Sequence, residues 1–214
     1  FGLNTDGHEL GHIIGRTHAK VHGINGNAFM ECPIGYLYAC QHGYFEQALG
    51  AAGDKSPKQI AEAICEGIST EPKWRNRFYC YNGVGHGIMM AMQNYPFASI
   101  RFCDTLSDEH AAQGCWQGVF MENINADQSN LARENVFFKD DPLAPCNRVP
   151  LTYQWHCYES QAAHLMRVHD NDIAAAAKEC LKAHPSSLPS CILSLAQFTT
   201  NPGWQSVIKD ARSD

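Results

Sequence analysis

A chain of 214 residues can bury a substantial core, either as one large domain or as two small ones. The net charge of −6 and the scatter of its Lys and Arg residues argue against a nucleic-acid or polyphosphate partner. No apolar stretch approaches the roughly 20 residues that a membrane-spanning helix needs. Composition thus leaves an unknown substrate, peptide or protein as the partner, and no transmembrane segment is expected.

The first element in chain order carries a metal-binding string. Residues 8–18 read His-Glu-Leu-Gly-His-Ile-Ile-Gly-Arg-Thr-His, which matches HExxHxxGxxH at every fixed position. His8 and His12, one helical turn apart, can hold a metal ion from one face, and Glu9 can act as the base for metal-bound water. The string resembles the zinc site of the metzincin metallopeptidases. That resemblance implies zinc-dependent peptide hydrolysis, with Glu9 as the catalytic residue and His18 as the third ligand.

The same string has a second interpretation, in which it forms the first helix of a helical repeat. Its glycine at Gly11 aligns with glycines found three residues after later cysteines, and glycine at this position predicts close helix packing. If the helix runs unbroken, His8, His12 and His22 share one stripe, and His18 lies at the edge of that stripe.

Ten cysteines are the strongest compositional signal. Their number is even, and no C-x-x-C spacing occurs, so zinc ribbons and redox dithiols are disfavoured. Disulfides formed in an oxidising compartment are the better interpretation. We therefore predict an extracytoplasmic protein, whether secreted, periplasmic or an ectodomain.

The cysteines recur with a period near 40 residues, the mark of stacked helical hairpins. Cys40, Cys80, Cys115 and the degenerate copy at Cys157 each open an apolar and aromatic helical segment. The layout resembles Sel1-like or tetratricopeptide-type repeats. We predict one all-α domain over residues 1–214, made of stacked helical hairpins stapled by about five disulfides.

The cysteine spacing predicts that each disulfide ties the end of one helix to the start of the next. Pairing within a hairpin is the alternative, since spacing does not fix connectivity. The expected pairs are Cys32–Cys40, Cys65–Cys80, Cys103–Cys115, Cys146–Cys157 and Cys180–Cys191.

Two capping signals locate helix starts. Ser56 precedes Pro57, and Asp172 precedes a run of alanines. Loops are expected over residues 66–78, 125–156 and 184–190.

Ionisable side chains recur six or seven residues after the opening cysteines, at Glu46, His86, Glu122 and His164. His42 lies at a similar angle around its helix. They follow the apolar runs and so are expected to point into the hairpin stack. Imidazoles and carboxylates that converge on one axis suit a divalent transition metal, with Zn²⁺ favoured and Fe²⁺ or Cu²⁺ as alternatives. The predicted metal ligands are His8, His12, His18, His42, Glu46, His86 and Glu122.

Two classes of function follow from these residues. The first is a metal-dependent enzyme, for which hydrolysis with Glu9 as the base is the favoured chemistry. The second is a non-catalytic helical-repeat module that binds a peptide or protein outside the cytoplasm.

Overall fold

The computed structural model describes residues 7–33, 35–69, 71–128 and 140–200, except for the side chains of residues 8, 9, 35–37 and 128. This part of the chain forms helices and no β-strand, which confirms the predicted all-α class. The helices are α1 (Gly7–His22), α2 (Gly26–Met30), α3 (Gly35–Gly50), α4 (Pro57–Glu66), α5 (Lys73–Ala91), α6 (Pro96–Cys103), α7 (Glu109–Gln128), α8 (Leu151–Ser160), α9 (Ala162–Val168), α10 (Ile173–Cys180) and α11 (Leu188–Thr200).

Both predicted helix caps are present. The Ser56 side chain accepts a hydrogen bond from the backbone of Gln59 in a reciprocal capping box, and Asp172 caps α10. All three predicted loops were too long, and the third is shortened because α11 already begins at Leu188. Helix α5 starts directly after Pro72, and α7 continues to Gln128 because no glycine or proline interrupts its last turn.

The chain divides into two compact units, Phe1–Glu122 and Asn123–Asp214, and each is described by itself. The first unit holds α1 to α6 and most of α7. The second holds the end of α7 and helices α8 to α11. The prediction of one repeat domain over the whole chain stays a prediction.

In the first unit, α1 packs against α3 at backbone contact distance. A side chain at Gly15 would collide with the carbonyl oxygen of Cys40, and one at Gly43 with the carbonyl oxygen of His12. Both positions therefore require a residue without a Cβ atom. Gly15 lies inside α1, and the helix continues through it.

Helices α5 and α7 repeat this contact in the same register. A side chain at Gly85 would collide with the carbonyl oxygen of Cys115, and one at Gly118 with that of Asn82. The residue that follows the first glycine is Arg16 in one pair and His86 in the other. The glycine contacts thus bring these two side chains against the facing helix.

The five disulfides have the predicted connectivity, with Cα–Cα distances of 5.4 to 5.7 Å, which are typical of such bridges. Cys65, Cys103 and Cys180 lie at the ends of α4, α6 and α10. Their partners lie inside the following helix. Cys80 and Cys115 accordingly sit about two turns inside α5 and α7 rather than at the predicted starts.

In the second unit, α8 packs against α9 and α11, and α10 packs against the same two helices. The buried amide of Gln161 donates hydrogen bonds to the carbonyl oxygens of Ala144, at 2.9 Å, and Pro142, at 3.2 Å. These bonds hold the irregular segment before α8 against the helices.

Across the described ranges, no helix combines the length and the apolar character that crossing a membrane requires.

Candidate metal centre

Three side chains from three helices meet inside the first unit: His42 on α3, His86 on α5 and Glu122 on α7. Each offers one ligand atom, and these atoms all lie within 4.8 Å of one another. The Oε2 atom of Glu122 lies 3.0 Å from Nδ1 of His86 and 3.9 Å from Nδ1 of His42. The two imidazole rings stack with their centroids 4.0 Å apart. Sequence analysis predicted all three as ligands, and the fold brings them together.

Burial makes this group chemically unusual. His42 and His86 are both 0 % exposed, and Glu122 is 7 % exposed. A buried carboxylate is costly unless cationic or hydrogen-bonding groups compensate it. Within the described part of the chain, Nε2 of His86 is buried and has no hydrogen-bond partner. Two imidazoles and a carboxylate form a ligand set that zinc and related ions accept. The group can therefore hold a metal ion.

Tyr38 borders the group on the side of His86. Its ring lies nearly parallel to that of His86, with centroids 6.3 Å apart, and beyond it Tyr79 lies 6.4 Å away. Burial, and next the neighbouring Tyr79, raise the pKa of the Tyr38 phenol. Tyr38 thus remains neutral at physiological pH and contributes an aromatic wall rather than a charge.

A second group, of a buried histidine and two half-buried charged side chains, lies beside the first and is formed by α1 and α3. Nδ1 of His12 lies 2.8 Å from Oε1 of Glu46, and the guanidinium of Arg16 donates to Oε2 at 2.6 Å. Burial alone would raise the pKa of Glu46, but the hydrogen bonds from His12 and Arg16 outweigh burial and lower it. Glu46, a predicted ligand, is therefore a carboxylate already paired with Arg16.

One other predicted ligand, His18, is not brought into the group. His18 donates a hydrogen bond from Nε2 to the carbonyl oxygen of Ala28 at 2.8 Å, and it lies 3.6 Å from Glu31. Six residues of continuous helix turn it about 120° away from His12. His8 and Glu9 lie in α1, and their side chains are outside the described residues.

The second unit contains a similar cluster that the prediction of ligands missed. His164 on α9 has its Nδ1 atom 3.1 Å from Oδ2 of Asp127 on α7, and Arg167 forms an ion pair with the same oxygen. The recurrence six or seven residues after cysteines already pointed to His164. Sequence analysis selected neither Asp127 nor Arg16. Arg16 does hold a recurring position, since it follows Gly15 as His86 follows Gly85, but aligning Gly11 with the later glycines hid this correspondence.

The charge of Asp127 has a testable effect on stability. Burial would raise its pKa, but the hydrogen bonds from His164 and Arg167 outweigh burial and lower it. A lowered pKa in the folded state means that the unfolded chain binds protons more readily. The contribution of Asp127 is therefore present above its unfolded pKa of about 3.9, and it is lost as the pH falls through the lower folded value.

We expect Asp127→Asn to lower the free energy of unfolding by about 2 kcal/mol near neutral pH, the usual size for hydrogen bonds to a charged group. At a pH of about 2 the variant and the wild type should differ far less. Urea unfolding at the two pH values measures both differences. An equal deficit at both would show that the charge of Asp127 does not stabilise the fold.

The fold and the site define a disulfide-stapled, all-α protein with a buried His–His–Glu group that can bind a metal ion. Comparisons with models of known protein families, with curated proteins and with solved structures find no match to this chain.

Proposed function

We propose that this protein binds a zinc ion outside the cytoplasm, through His42, His86 and Glu122. One observation carries the proposal: three ligating groups from three different helices converge in the core of the first unit, with their ligand atoms within 4.8 Å. An ion bound there would compensate the buried carboxylate of Glu122.

The choice of zinc follows from the donor atoms. Calcium and magnesium take oxygen ligands, whereas two imidazoles with one carboxylate suit Zn²⁺, which has no geometric preference of its own. With Zn–N bonds of about 2.1 Å, imidazole rings at the tetrahedral angle have centres roughly 5.2 Å apart. The rings of His42 and His86 must therefore spread by roughly 1 Å on binding. Zinc tolerates such adjustment better than Cu²⁺, which favours tetragonal geometry.

The cellular compartment of the protein is inferred from its disulfides. Five disulfides are consistent with an extracytoplasmic protein, and we propose that this one is secreted or periplasmic. Zinc would then be available outside the reducing cytoplasm. In that compartment the cysteines of this chain are all paired in disulfides.

Elemental analysis of protein purified without added metal tests the proposal directly. We expect about one zinc per chain and a thermal midpoint that falls by about 10 °C after chelation. That shift corresponds to about 4 kcal/mol, the linkage expected when free zinc exceeds its dissociation constant 1,000-fold. Added Zn²⁺ should restore the midpoint, and Mg²⁺ should not. A metal-free protein whose midpoint ignores both chelator and zinc would contradict the proposal.

A zinc hydrolase is the second candidate, favoured by the composition of the ligand set. Two histidines and one glutamate are the protein ligands of several zinc hydrolases, in which water fills the fourth position. Glu9 would be the base, as sequence analysis predicted. A hydrolase requires a coordination position on zinc that water and substrate can occupy. The number of protein ligands therefore distinguishes a zinc hydrolase from a protein that only binds zinc.

A further inference from the structure

His12 lies next to the metal group without being one of its three members. It is 2 % exposed, and its ring centroid is 5.3 Å from that of His42, with an interplanar angle of 68°. His12 enters from α1, a helix that contributes none of the other three ligands. The first unit thus places a third buried imidazole beside the proposed ion.

The separation between these two rings matches that of two ligands on one zinc ion. A Zn–N bond of about 2.1 Å puts the centre of an imidazole ring roughly 3.2 Å from the metal. Two such rings at the tetrahedral angle have centres roughly 5.2 Å apart. The observed 5.3 Å between His12 and His42 agrees with this spacing. The rings of His12 and His42 are also crossed rather than stacked. Crossed rings can direct their edges at a shared point, as two ligands of one ion must.

Glu46 orients His12. A zinc ion bound at Nε2 of His12 would leave Nδ1 to donate to Oε1 of Glu46, which lies 2.8 Å away. Metal-binding histidines commonly donate their other N–H group to a carboxylate in this way. Arg16 holds the second oxygen of Glu46, so the carboxylate is neutralised locally and does not compete for the ion.

We infer that His12 is the fourth protein ligand of the proposed zinc ion and that Glu46 is its positioning residue. The inference rests on the proposed zinc site and adds the mode of binding. His12, His42, His86 and Glu122 would close a tetrahedral shell. A closed shell is typical of structural zinc, whereas catalytic zinc keeps a position open for water. The ion therefore serves to lock α1, α3, α5 and α7 of the first unit together.

X-ray absorption spectroscopy on the zinc-loaded full chain tests this, because imidazole rings produce a multiple-scattering signal that counts them. We expect three imidazoles and one oxygen ligand per zinc in the wild type. In His12→Gln the count should fall to two imidazoles, and zinc affinity should fall more than 100-fold. In Glu46→Gln the count should stay at three, with affinity lowered by about 10- to 100-fold, as is usual for groups that orient a ligand.

His18→Gln is the matched control, since it removes a histidine of the same helix that lies away from the group. It should keep three imidazoles and the wild-type affinity. Two imidazoles in the wild type, or an unchanged count in His12→Gln, would overturn the role of His12 while leaving the zinc site intact. A wild type that binds no zinc would overturn the site itself. If His12→Gln does not fold, the number of imidazoles in the wild type and the zinc affinity of Glu46→Gln still test the role of His12.

Discussion

Gly118→Ala will force α5 and α7 apart and remove most of the zinc binding. A Cβ atom at position 118 would overlap the carbonyl oxygen of Asn82, and its next nearest neighbours are also backbone atoms of Asn82. Backbone cannot rotate out of the way as a flexible side chain does, so the helices must separate. We expect a loss of about 3 kcal/mol or more in the free energy of unfolding, at the upper end of overpacking effects.

The zinc site is affected because Glu122 lies one turn beyond Gly118 on the same face of α7. Separation of the helices moves its carboxylate away from His86, whose Nδ1 now lies 3.0 Å from it. We expect zinc affinity to fall more than 10-fold, measured by competition with a chromophoric chelator. One ion cannot contact all three ligands once the carboxylate lies out of reach of the two imidazoles.

Gly50→Ala is the control for this substitution. Gly50 ends α3, and a Cβ atom there would meet nothing within 4 Å. Alanine also restricts the unfolded chain, so this variant should be as stable as the wild type or slightly more stable. If Gly118→Ala matched Gly50→Ala in urea unfolding, the helices would not be in backbone contact.

Glu122→Gln will weaken zinc binding by more than about 100-fold, beyond the range seen when only an orienting group is lost. The amide keeps the shape of the side chain and its ability to hydrogen-bond, but it lacks the negative charge. In a buried site that charge supplies much of the attraction for a divalent cation. Isothermal titration with Zn²⁺ measures the change, and circular dichroism checks that the helices remain.

Asp127→Asn is the matched control, because Asp127 is also a buried acid that contacts a histidine. It pairs with Arg167 and belongs to the second unit, so its loss should leave zinc stoichiometry unchanged. Wild-type zinc affinity in Glu122→Gln would remove Glu122 from the ligand set. An equal loss of zinc in both variants would indicate that removing any buried negative charge weakens zinc binding.

The helices and disulfides were predictable because they depend on interactions between residues close in sequence. Ser56 and Asp172 cap helices through residues within a turn, and those signals are readable in a few letters. Each disulfide joins cysteines 8 to 15 residues apart, so neighbouring cysteines were the natural partners. Helix starts were predicted less well, because a cysteine marks where helices touch rather than where a helix begins.

The ligand set was only partly predictable. Recurrence after the cysteines selected His86 and Glu122, His42 was added because it lies at a similar angle on its helix, and the fold brings these three together. The same reasoning also selected Glu46, whose charge is instead neutralised by Arg16. The opening string favoured His18, which the continuous helix turns toward the carbonyl oxygen of Ala28. Recurrence identifies residues on one helix face, but it does not say which partner the opposite helix supplies.

By itself, the sequence determined the all-α class and a set of candidate histidine and glutamate ligands, and it favoured pairing of neighbouring cysteines without fixing it. Only the tertiary structure decided which of those side chains meet. His42, His86 and Glu122 are 44, 36 and 80 residues apart in pairs, and backbone contacts at Gly85 and Gly118 set the register between α5 and α7. A metal centre needs several ligand atoms within reach of one point. That placement comes from helix packing, which no local pattern of residues encodes.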